Sequence, residues 1–95
     1  MGLKISRDAE GAQIIALKAL GYLAADENLL GPFLDATGLG AGDLRTGATD
    51  SAFLAGILDY FMQNEALLLA FAGASELAPE TIVQARQRLP GALND

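Results

Sequence analysis

The sequence predicts an all-α fold: a compact bundle of about six short helices, built as two pseudo-symmetric three-helix repeats within a single domain, 1–95. Two observations carry that expectation. At an offset of 38 residues the chain nearly repeats itself: Leu20 falls on Leu58, Tyr22 on Tyr60, Glu27 on Glu65, Phe33 on Phe71, Ala36 on Ala74 and Leu39 on Leu77. Leu29 and Leu30 fall on Leu67 and Leu68, Asp26 meets Asn64, and Thr37 meets Ser75. Helix caps and stops recur along the chain, and no segment of strand period competes with them. The repeats cover about 12–48 and 50–86. Stacked helical arrays usually need three or more units to close a core. Two units suggest that the halves pack face to face about an internal pseudo-twofold, sharing the matched apolar positions.

Each element follows from its punctuation. Ser6 or Asp8 caps a first helix running to about Ala25, with Asp8 and Glu10 favourably near its N-terminal dipole. Asp26 caps a second, shorter helix that ends near Gly38, a C′ residue. Pro32 is awkward there, being past the first turn and lacking a donor, so the helix begins late near Asn28 or bends at Gly31-Pro32. A third short helix covers Ala41 to Thr46. Asp50 or Ser51 caps a fourth running to Gln63, and Asn64 caps a fifth to about Gly73. Pro79 at a first helical position, with Glu80 beside it, opens a sixth. That helix stops before Pro90-Gly91, leaving a loose tail, Ala92 to Asp95.

The register also exposes a surplus of apolar residues. In the fourth helix Ala52, Gly56, Asp59 and Gln63 line one face, the solvent side. Their counterparts are Ile14, Lys18, Gly21 and Ala25, which makes Ile14 an apolar intruder. The fifth helix is apolar all round at Leu67-Leu68-Leu69-Ala70-Phe71. Leu67, Leu68 and Phe71 are matched core positions, but Leu69 corresponds to Gly31, and Met62 to Ala24. A chain of this size can wrap about one fully apolar helix. Either the fifth helix is that central element, or Leu69, with Met62 and Ile14, meets a second subunit.

Composition excludes more than it offers. Ninety-five residues make one domain, expected to bury roughly 65% of its unfolded surface. With no cysteine there are no disulfides, thiolate metal sites or thiol nucleophiles. With no histidine the commonest general base and the commonest metal ligand are gone too. The net charge of -6 argues against nucleic acid, and between Ala19 and Ala85 the only basic residue is Arg45. The acidic exterior reads first as solubilising surface and, more sharply, as a docking face for a basic partner. No apolar run precedes Ile14, so no signal peptide is expected. The longest apolar stretch, Ala66 to Ala72, is too short to span a bilayer, and a soluble cytoplasmic protein is the default.

Three constellations invite chemistry. Gly38-Leu39-Gly40-Ala41-Gly42-Asp43, with Arg45 as counter-charge, resembles a phosphate loop, with Gly40, Gly42 and Arg45 as the anion site. Such a loop needs a strand before the glycines and a helix N-terminus aimed at the anion; here a helix precedes them and no Lys follows in P-loop spacing. Asp35, Asp43 and Asp50 supply too few alternating oxygen ligands for a calcium loop. Asp26-Glu27 and Asn64-Glu65 open equivalent helices, which points to capping rather than acid–base work. Tyr22 and Tyr60 each sit one turn before those caps, suiting a buried ring with its hydroxyl at the helix junction.

Asp26-Glu27-Asn28-Leu29-Leu30-Gly31-Pro32-Phe33-Leu34, Thr37-Gly38-Leu39, Asp43-Leu44-Arg45, Phe53 to Tyr60 and Glu65 to Phe71 resemble a small bacterial family catalogued as domain of unknown function 3572. The resemblance covers roughly Ala12 to Pro90. It implies a stand-alone helical protein and brings no activity or catalytic residues. The expectation is therefore a non-enzymatic interaction module without cofactor or metal, either a homodimer or an accessory subunit of an unidentified protein partner. The alternative is a small-ligand or anion-binding protein using Gly38 to Arg45.

Overall fold

The computed structural model describes residues 3–89, which form six α-helices and, among the described residues, no strand. They are α1 (Leu3–Ala24), α2 (Glu27–Thr37), α3 (Ala41–Gly47), α4 (Ser51–Met62), α5 (Glu65–Ser75) and α6 (Pro79–Gln87). The Cα radius of gyration, 12.8 Å, is that of a single packed unit, for which about 12 Å is expected at this length. Pro90-Gly91 and the expected loose tail from Ala92 lie outside the described residues.

Side-chain caps open three of the helices. The Asn28 N–H donates to Asp26 Oδ1 at 2.9 Å, the Ala52 N–H to Asp50 Oδ1 at 2.9 Å, and the Leu67 N–H to Asn64 Oδ1 at 3.2 Å. Each bond satisfies one of the donors that a helix start leaves without an intrahelical partner. Asp50, not Ser51, is the cap of α4. Pro79 occupies the first turn of α6, where its missing N–H costs nothing. Gly38, at φ 75°, closes α2 in the left-handed conformation, with its N–H bonded to the Leu34 carbonyl. Glu76, at φ 58°, closes α5 the same way, although its side chain makes that conformation costly. A Schellman bond from the Leu77 N–H to the Ala72 carbonyl (2.9 Å) offsets the cost.

Four expectations need correction. α1 opens at Leu3, so Ser6 and Asp8 lie within the helix and do not cap it. α2 does not begin late: it opens at Glu27, directly after its Asp26 cap and one residue before Asn28, and runs on through Pro32. α5 continues two residues past Gly73, to Ser75, because Glu76 takes the left-handed turn. The central helix is α4 rather than α5. α4 buries Leu54, Ala55, Ile57, Leu58 and Phe61 and packs against α1, α3, α5 and α6. α5 buries only Leu67, Phe71 and Ala72, with Leu68 half-buried and Leu69 exposed.

The core is continuous. Phe33, Phe61 and Phe71 are its largest fully buried side chains, joined by Leu23, Leu54, Ile57, Leu58 and Ile82. α1 reaches it with small residues, Ala12, Ala16 and Ala19, which let α4 and α6 approach closely. Where α1 meets α4, Gln13 Nε2 donates to Ser51 Oγ at 2.6 Å, a bond between residues 38 apart in sequence. The aromatic contacts exchange rings in the same register: Tyr22 packs on Phe71 at 5.4 Å between centroids, and Tyr60 packs edge-on against Phe33 at 4.9 Å.

Candidate functional site

The tyrosines of those ring pairs, Tyr22 and Tyr60, line an open groove between α2 and α5. Its volume is about 390 Å³, and Tyr22, Leu29, Pro32, Tyr60, Leu67 and Ala70 supply its apolar lining. Asn28, Asn64 and Ala66 complete the lining at the starts of the two helices. Leu29 and Leu67 lie in the first turns of α2 and α5, whose caps therefore aim both residues inward. Each tyrosine ring is half-buried, Tyr22 against Phe71 and Tyr60 against Phe33. Neither hydroxyl has a hydrogen-bond partner among the described residues. The expected junction role for these rings thus comes with a second property, a phenol left available at a surface groove.

The apolar residues singled out from the sequence are on the surface. Ile14 is 50% exposed, Leu69 49% and Met62 38%. Leu17, 41% exposed, joins them and was not foreseen. It lies three residues after Ile14, one turn along the same face of α1, and that spacing could have found it. Its register counterpart, Ala55, is buried in α4, which hid the difference. On α5 the exposed face carries Ala66, Leu69, Ala70 and Gly73, so Leu69 stands beside the wall of the groove. Ala52, Gly56 and Gln63 form the exposed face expected for α4. Asp59 on that face is half-covered, because Arg86 from α6 bonds its Oδ1 through Nε at 2.6 Å. Arg86 is the one buried charged side chain among the described residues and also reaches the Leu89 carbonyl.

The glycine-rich connection is assembled differently from an anion cradle. Gly38 is the C-cap of α2, and Gly40 precedes α3 with its N–H bonded to Asp43 Oδ2 at 2.9 Å. A carboxylate of the chain itself thus occupies the donor an anion would need, while Gly42 and Arg45 are exposed. Among the described residues no three Asp or Glu side chains gather where they could hold a metal ion. No single helix there is long and apolar enough to cross a membrane.

A family model described as a protein of unknown function, DUF3572, matches residues 9–92. No curated protein and no solved structure matches the chain.

Proposed function

The chain belongs to the DUF3572 family, and we propose that it works as a non-enzymatic interaction module, self-associating through its exposed apolar side chains. The observation that carries this reading is the exposure of Ile14, Leu17, Met62 and Leu69 on a domain whose core is already closed by three phenylalanines. Single exposed leucines are ordinary, but Ile14 and Leu17 adjoin one another, and Leu69 stands among small residues that allow a second helix to approach. The lack of histidine and cysteine favours binding over catalysis.

The finer architecture belongs to the same proposal: two halves related by an internal pseudo-twofold. Three contacts support it. Residues that lie on such an axis touch their own equivalents, as Gln13 touches Ser51. Reciprocal contacts come in pairs, as Tyr22–Phe71 and Phe33–Tyr60 do.

Light scattering coupled to size-exclusion chromatography, at low and high protein concentration, tests self-association. A dimer fraction rising with concentration, and lost in Leu69→Glu or Ile14→Glu, is the expected result. A monomer at every concentration refutes it. The anion reading through Gly40, Gly42 and Arg45 is weaker, because Asp43 takes the Gly40 N–H. A thermal shift with millimolar phosphate would revive it.

A further inference from the structure

No charged side chain lines the α2–α5 groove, in a chain of net charge -6, and its two tyrosine hydroxyls are without partners among the described residues. We propose that this groove binds a proline-rich peptide in the polyproline II conformation, with Lys or Arg beside the proline segment. The proposal rests on the interaction-module reading and adds to it a different partner for a groove that borders the Leu69 face of α5.

The chemistry of the groove selects among ligands. A helical peptide has most of its backbone carbonyls bonded internally, so it offers the Tyr22 and Tyr60 hydroxyls few backbone acceptors. Strand addition requires a sheet edge, and the described residues contain no strand. A small molecule is usually enclosed over most of its surface, whereas this groove is open along the protein surface. A polyproline II segment keeps every carbonyl free to accept a bond and presents rigid pyrrolidine rings that pack on aromatic side chains. It has also lost much of its conformational freedom before it binds.

Two further features match that ligand. Tyr22 with Leu29, and Tyr60 with Leu67, offer the same ring, hydroxyl and apolar branch twice over, giving proline rings two aromatic seats in one groove. Exposed carboxylates flank the neutral lining: Asp26 and Glu27 precede Asn28, and Glu65 lies between Asn64 and Ala66. They favour cations beside the proline segment and repel acidic peptides.

The test is a nuclear magnetic resonance titration of the isotope-labelled full chain with a synthetic proline-rich peptide flanked by lysines. Its controls are the same peptide flanked by glutamates and a preformed amphipathic helix. Saturable shifts at Tyr22, Leu29, Tyr60 and Leu67 with the lysine-flanked peptide, weakened by salt, are expected. Tyr22→Phe and Tyr60→Phe keep the packed rings and should each bind about threefold to tenfold more weakly, the worth of one hydrogen bond. The proposal is overturned by the absence of saturable shifts at millimolar peptide, by equal binding of the glutamate-flanked peptide or tighter binding of the helix, or by unchanged affinity in both phenylalanine variants. Light scattering reads self-association separately, so a failure here leaves that reading standing.

Discussion

α6 buries Ile82, Ala85 and Arg86, with Leu89 just beyond its end, and packs on α1, α4 and α5. α3 lies 38 residues earlier in the same register, buries Leu44 and Gly47, and packs chiefly on α4. The residues that differ explain the contrast. Where α6 has Ala85, α3 has Gly47, whose backbone lies so close to the Phe53 ring that a methyl group would clash with it. Arg86 and Asp59 tie α6 to α4; their counterparts, Ala48 and Gly21, cannot form such a bond. Two helices at matched positions of the sequence are thus held with different firmness by the individual side chains at their contacts.

Substitutions at equivalent positions sharpen or break that contrast. Ile82→Ala should cost about 3–5 kcal/mol, because the site is fully buried among three helices and cannot collapse. Leu44→Ala should cost about 2 kcal/mol or less, since α3 can settle onto α4; equal losses in chemical denaturation would remove the distinction. Gly47→Ala should destabilise by about 1–3 kcal/mol through overpacking against Phe53, with chemical-shift changes centred on that ring. Asp59→Ala should cost about 1–3 kcal/mol, through loss of the charge-assisted bond that ties α6 to α4, and the loss should appear as faster amide exchange in α6. Glu76→Gly should raise stability by about 0.5–1 kcal/mol, whereas Gly38→Ala should lower it by a similar amount or more, because both positions adopt positive φ. Leu69→Glu should leave monomer stability within about 0.5 kcal/mol, since Leu69 is on the surface.

Much of this was legible in the chain. Asp26 and Asn64 announced their helices, and Asp50 or Ser51 the fourth, because capping is local chemistry, and Gly38 announced a left-handed turn for the same reason. The register placed Leu20, Phe33, Leu58 and Phe71 in the core and marked Ile14, Met62 and Leu69 as surplus. What stayed hidden depends on tertiary packing. An apolar run such as Leu67 to Phe71 has no preferred inner face until α4 and α6 supply one. Arg86, which no motif in the sequence singles out, is buried where Asp59 meets it across 27 residues of sequence. The groove was invisible for a related reason. It appears only when Tyr22 and Tyr60, each read as a junction ring, come together over α2 and α5.

Native-state hydrogen exchange, comparing the amides of Arg45 to Ala48 with those of Ile82 to Arg86, tests the unequal attachment of α3 and α6 most directly. The α6 amides should open only with global unfolding, whereas those of α3 should open locally at a free energy lower by about 1–2 kcal/mol or more. Equal protection of the two helices would contradict the account.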